Sequence, residues 1–156
     1  MGNNSSTKES EPAGKPGTQE KKQKKKGGSN EKEFTKNIHK TDQDFEINDK
    51  KVTLKNKHGA FIAFYAPWCH YCHDLAPNWN KYAKQMKGTS FHFLAVDCTS
   101  NDCSKLTTAL DIQGYPTIMF ADPESGEVMP AVYQDGTPMQ RTEEGIKRFL
   151  QEKQIL

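Results

Sequence analysis

Residues 60–66 read Ala-Phe-Ile-Ala-Phe-Tyr-Ala, an almost unbroken apolar and aromatic run. A strand with one wet face alternates apolar and polar residues, whereas a strand covered on both faces has no need to. The run therefore predicts a central strand packed on both sides. Two further runs, Phe91-His92-Phe93-Leu94-Ala95-Val96 and Thr117-Ile118-Met119-Phe120, share its character and have polar boundaries. Between the first two strands, Leu75, Ala76, Trp79, Tyr82, Ala83 and Met86 recur at helical spacing, and Gly88 supplies a stop. Cys103, Leu106 and Leu110 predict a shorter helix before Gly114. Thr142, followed by Glu143 and Glu144, predicts the cap and first turn of a last helix carrying Ile146, Phe149 and Leu150. Pro130 lacks a ladder donor, so residues 128–133 read as an edge strand, joined to the preceding strand by the turn Asp122-Pro123-Glu124-Ser125-Gly126. Strands separated by helices need crossovers. The fold class is accordingly α/β, a central mixed sheet with helices on both faces, closed by an antiparallel hairpin. Residues 37–58 predict one strand near Ile38 and one short helix.

Charge divides the chain unevenly. Residues 1–36 hold nine lysines against five acidic residues, a net of +4, while residues 37–156 hold 13 basic and 15 acidic residues, a net of −2. Only Met1 and Ala13 are hydrophobic among the first 33 residues, too few to offset the entropy of ordering that stretch. The expected organisation is a disordered basic tail over 1–36 and one domain over 37–156, close to the commonest domain size.

Within the tail, Met1-Gly2-Asn3-Asn4-Ser5-Ser6 fits the pattern for N-myristoylation at Gly2. Lys21, Lys22, Lys24, Lys25 and Lys26 place five positive charges within six residues, each adding about 1 kcal/mol near anionic lipid. One acyl chain with a polybasic patch is the two-signal arrangement that holds a domain at a membrane surface. Simple solvation by the lysines is the competing interpretation. No aromatics interleave with the lysines and the body is slightly acidic, which argues against nucleic acid. The N-terminus lacks the apolar segment of a secretory signal, and the last four residues, Lys153-Gln154-Ile155-Leu156, are not a retention signal. The expectation is cytosolic synthesis, with tethering to the cytosolic face of a membrane as the tail's implied role.

Cys69-His70-Tyr71-Cys72 lies where the central strand gives way to a helix N-terminus. Unpaired backbone N–H groups and the positive end of the helix dipole favour a thiolate there, and such positions lower a cysteine pKa to roughly 3.5–7.5. Cys69 is the expected nucleophile, and is expected to be exposed. Cys72, about a turn further on, is placed to attack a mixed disulfide on Cys69 and release a substrate thiol. A protonated His70 beside Cys69 would favour the thiolate further. Cys69, His70, Cys72 and His73 are too crowded at one helix start to surround a metal ion tetrahedrally, so no metal is expected.

Here the chain resembles the thioredoxin superfamily, and within it the protein disulfide isomerase branch. Phe64-Tyr65-Ala66-Pro67-Trp68-Cys69-His70-Tyr71-Cys72 is similar to that branch's active-site signature, and His73-Asp74-Leu75-Ala76-Pro77 continues it with a proline five residues after the second cysteine. Gly114-Tyr115-Pro116-Thr117 looks like the cis-proline loop, which by resemblance sets Pro116 facing the cysteine pair, with Tyr115 and Trp68 at the substrate groove. Arg141, five residues before Ile146 and nine before Leu150, matches the arginine that in this branch eases ionisation of the second cysteine. The resemblance implies a thioredoxin fold over about 37–153.

Two departures separate the chain from that pattern. Six residues before Cys69, where family members bury a carboxylate that shuttles protons to the second cysteine, stands Ala63. The pair encloses His70-Tyr71 where the isomerases have Gly-His. Cys98 and Cys103 either form a structural disulfide, as paired cysteines do at a similar place in some isomerase domains, or remain two reduced thiols. The functional expectation is a monomeric protein thiol–disulfide oxidoreductase needing no organic cofactor, its substrates protein thiols and disulfides that add as an extended strand beside Pro116. The alternative is a membrane-tethered thioredoxin-fold binding or chaperone module with weak redox turnover. A virion component is a further reading of a tethered thiol oxidoreductase.

Overall fold

The computed structural model describes Phe34 and residues 38–56 and 58–156. Its elements are β1 (Ile38–His39), β2 (Phe45–Asn48), β3 (Lys51–Leu54), β4 (Gly59–Tyr65), α1 (His70–Gln85), β5 (Phe91–Asp97), α2 (Ser104–Ala109), β6 (Thr117–Ala121), β7 (Val128–Pro130) and α3 (Glu143–Glu152). Single 3-10 turns lie at Asp42–Asp44 and Asn101–Cys103. Five strands form one sheet in the order β1-β5-β4-β6-β7. The β1–β5 and β5–β4 pairs are parallel, and β4–β6 and β6–β7 antiparallel, so the sheet is mixed as its connections require. Pro130 sits at the edge, paired with Met119.

Strand β4 shows why its sequence does not alternate. Phe61 and Ala63 join the cluster formed with α1 and α3, through Leu75, Trp79, Ile146 and Phe149. Ala60, Ile62 and Phe64 point to the other face and pack with Phe45, Val52, Leu54 and Leu106 from β2, β3 and α2. Both faces are covered, and every β4 residue except Tyr65 is buried. Phe61 is the hub of the first cluster, its ring 4.7–6.2 Å from those of Trp79, Phe91, Phe93, Phe120 and Phe149.

The second face differs from the expectation for residues 37–58. The strand near Ile38 is present and the short helix is the turn Asp42–Asp44, but an antiparallel hairpin, β2–β3, follows, with Phe45 opposite Leu54 and Ile47 opposite Val52. Its residues alternate buried and exposed, as a strand with one wet face should. Asp42 also caps α2 from 63 residues away, its carboxylate accepting from the backbone N–H groups of Lys105 and Leu106 at 3.1 and 2.8 Å.

Phe34 is buried against the Tyr65 ring, with ring centroids 4.7 Å apart, and its carbonyl accepts from His39 Nε2 at 2.9 Å. The expected tail, with Gly2 and the lysine run of residues 21–26, otherwise lies outside the described residues. No helix among the described residues is long and apolar enough to cross a membrane.

Candidate active site

The buried strand β4 ends at Tyr65, and residues 66–69 turn the chain into α1. Cys69 is the N-cap of that helix, with extended backbone (φ −81°, ψ 122°), and it is buried rather than exposed as expected, because its sulfur turns inward to the helix start. Its sulfur accepts from the Cys72 N–H at 3.3 Å, so one of the orphan donors at the helix start points at Sγ. On the other side the Cys69 thiol lies 3.5 Å from the Tyr115 carbonyl oxygen. Tyr115 precedes Pro116 through a cis peptide bond, and the loop expected to face the cysteine pair lies beside Cys69. The expected trio of Cys69, Cys72 and the Tyr115-Pro116 segment is therefore assembled in one place.

Cys72 is fully buried. Burial, then the hydrogen bond to Cys69, pushes its thiol up to about 12, with the Cys69 charge adding to the rise. The Ala66 backbone and the Arg141 guanidinium pull the other way. Ala63 is buried beneath this site and pairs with Ala95 on β5, so the site's floor is apolar on both strands.

Arg141 reaches the site from the loop before α3. Its guanidinium carbon lies 5.6 Å from the centroid of the Tyr71 ring. The buried Tyr133 hydroxyl fixes that loop, donating to the Gly145 carbonyl and accepting from the Gln140 N–H, both at 3.1 Å. Thr142 caps α3 by accepting from Gly145 N–H at 3.0 Å, as its sequence predicts. His70 stands on the first turn of α1 with Nε2 3.5 Å from Asp74 Oδ2 and its ring edge-on to Tyr71. Its partners among the described residues are thus Asp74 and Tyr71. Trp68 and Tyr71 are 70 % and 63 % exposed and flank the cysteines, with Trp68 edge-on to Tyr115. Trp79 is fully buried, its indole N–H donating to the Leu94 carbonyl.

All four cysteines are thiols. Cys98 is half-buried after β5 and Cys103 is buried at the entry to α2. Burial pushes Cys98 up to about 12, with Cys103, Asp97 and Cys72 adding to the rise; burial followed by Asp42 pushes Cys103 up to about 11. The sequence did not signal the contact of Tyr71 with Arg141, the role of Tyr133 or the hydrogen bond of His73. His73 Nε2 donates to the Pro67 carbonyl at 2.7 Å, an assignment fixed because a carbonyl only accepts. For Tyr133, no local signal ties residue 133 to residues 140 and 145, since the contact depends on how the loop folds back.

The thioredoxin family model matches residues 36–152. Among curated proteins, the protein disulfide-isomerase A6 homolog of Drosophila melanogaster is 35% identical over 91 residues, covering 58% of this chain and 20% of that protein. Protein disulfide-isomerase A4 of Homo sapiens is 33% identical over 102 residues, covering 65% of this chain and 15% of that protein. The chain spans a fifth or less of the length of these two relatives. Among solved structures, the Trx4 domain of ERdj5 matches with a TM-score of 0.55 at 23% identity, covering 76% of this chain and 95% of that one. At that identity the match shows a shared fold.

Proposed function

The chain belongs to the thioredoxin family, and on that premise we propose that it is a thiol–disulfide oxidoreductase working on protein thiols and disulfides through Cys69 and Cys72. The observation that carries this reading is the Cys69 sulfur held as the N-cap of α1, 3.3 Å from the Cys72 N–H. A donor aimed at sulfur holds the attacking atom at the helix start, one turn from the thiol that must resolve the mixed disulfide. In the reducing direction the Cys69 thiolate attacks a substrate disulfide, forming one mixed S–S bond and releasing one substrate thiolate. The Cys72 thiolate then attacks Cys69 Sγ, breaking the mixed bond, releasing the second substrate thiolate and leaving a Cys69–Cys72 disulfide. Two electrons pass to substrate, and the reverse sequence oxidises it.

The surface around the pair suits an extended peptide. Trp68 and Tyr71 offer exposed aromatic faces, while the backbone before Pro116 offers main-chain groups beside the sulfur. Main-chain bonding gives affinity with little side-chain selection, consistent with varied protein substrates. An insulin-disulfide reduction assay on the protein and its Cys69→Ser variant tests the proposal. The expected result is turnover by the first and none by the second; equal rates would overturn it.

A further inference from the structure

Resolution of the mixed disulfide needs a proton acceptor for Cys72. A buried thiol held near 12 is almost wholly protonated at neutral pH, and Ala63 supplies no base. One cavity reaches Cys72 from the side. It has a volume of about 540 Å³ and is lined by Phe34, Tyr65, Ala66, Pro67, Cys72, His73 and Asp97. It is wide enough to hold water and carries polar groups to order it. Asp97 ends β5 directly opposite Tyr65, two residues beyond the Ala63–Ala95 pair. Its hydrogen bonds among the described residues both fall on Oδ1, from Thr99 N at 2.9 Å and Thr99 Oγ1 at 2.6 Å. His73 spends its Nε2 proton on Pro67.

We propose that Asp97 replaces the missing buried acid, accepting the Cys72 proton through water in this cavity. The inference rests on the thiol–disulfide reading above. In the step, the Cys72 S–H proton passes by way of water to the Asp97 carboxylate as Cys72 Sγ bonds to Cys69 Sγ. The bond from Cys69 to the substrate sulfur breaks, and its electron pair leaves on the substrate thiolate. The proton is then given up to that thiolate or to solvent. His73 is the competing base, since donating Nε2–H to Pro67 leaves its Nδ1 able to accept a proton, and the variants below separate the two groups.

Other titrating groups bear on the same profile. Tyr65 on β4 and His73 on α1 share the cavity wall, while Cys98, Cys103 and Tyr115 feel the Asp97 charge. Cys69 and Arg141 act on Cys72 itself. The test must therefore isolate the carboxylate.

The experiment follows the decay of a mixed disulfide between Cys69 and a model peptide by rapid acid quench, from pH 5 to 10, in the full chain. Asp97→Asn, which keeps an oxygen acceptor for Thr99, is expected to slow decay roughly tenfold at pH 7 and lose the effect at high pH, where hydroxide takes the proton. Asp97→Glu should restore most of the rate, and His73→Gln should slow decay by much less than Asp97→Asn does. A wild-type profile in Asp97→Asn, no rescue by Glu, or a loss in His73→Gln as large as that in Asp97→Asn would each overturn the assignment. Formation of the mixed disulfide is read separately. Its absence in the wild type would mean that the thiol–disulfide reading, and not the proton path, has failed.

Discussion

The Arg141 guanidinium lies over the face of Tyr71, 5.6 Å from the ring centroid, at the mouth of the Cys69–Cys72 pair. From there its charge lowers the ionisation cost of Cys72. A cation over an exposed ring gains about 0.5–1 kcal/mol, which is a two- to fivefold bias in where the arginine dwells. Tyr71→Ala should therefore slow resolution of the mixed disulfide by about that factor, while Tyr71→Phe, which keeps the ring, should match the parent. Arg141→Gln should slow it more than Tyr71→Ala. Stopped-flow decay of the mixed disulfide measures all three, and equal rates for the Ala and Phe variants would show that the stack has no such role.

Two buried thiols and the half-buried Cys98 make the reduced protein sensitive to alkali. Cys72 and Cys98 are pushed up to about 12 and Cys103 to about 11, each mainly by burial, from a starting value of 9.0. A raised thiol holds its proton in the folded chain after the unfolded chain has lost it. The stabilisation is complete below pH 9 and is lost as pH rises from there through the folded values. The Tm of the reduced protein should fall between pH 9 and 11 more steeply than that of a Cys98→Ala/Cys103→Ala variant. Thermal melts in a chemical reductant check this, and parallel slopes would refute it.

The strands, helices and cysteine pair were legible because each signal is local. Residues 60–66 announce burial on both faces, Thr142 announces a helix start, and Cys-x-x-Cys at a strand-to-helix junction announces its own chemistry. The β2–β3 hairpin was missed although Phe45, Ile47, Val52 and Leu54 carry the alternating pattern, because the lysines and asparagine between them mask two short runs. The turn itself rests on Asp49 at φ 56°, a conformation a sequence signals only weakly. Asp97 was invisible for another reason. Its neighbourhood to Cys72 follows from the parallel register of β4 and β5, which no spacing within either strand reveals.

Phe61 should be the costliest single truncation in the core. Its fully buried ring meets five other aromatic rings at 4.7–6.2 Å and ties α1 and α3 to the sheet. Phe61→Ala is expected to lower stability by about 3–5 kcal/mol, and Phe61→Leu by clearly less, since it leaves a smaller void. Urea unfolding monitored by tryptophan fluorescence, in which the buried Trp79 becomes exposed, gives both values. A loss near 1 kcal/mol in the alanine variant would mean that α1 and α3 settle into the space.

Gly145 connects stability to the site. A Cβ built there would stand 2.4 Å from the Gln140 carbonyl oxygen, closer than any real contact, so α3 and the loop carrying Arg141 can meet only through a glycine. The same residue donates its N–H to Thr142 and accepts from Tyr133, so the backbone at 145 cannot yield without losing a cap or a buried bond. Gly145→Ala must push the loop away from the Tyr71 face. The expected cost is about 1–3 kcal/mol of stability, as for other overpacked sites. The expected kinetic signature is slow resolution approaching that of Arg141→Gln, with attack by Cys69 unchanged, because the nucleophile is held by α1 and Tyr115. Stopped-flow rates for the two half-reactions, set beside a urea melt, separate these effects. Slowing of both half-reactions together would place the damage in the fold as a whole rather than in the arginine loop.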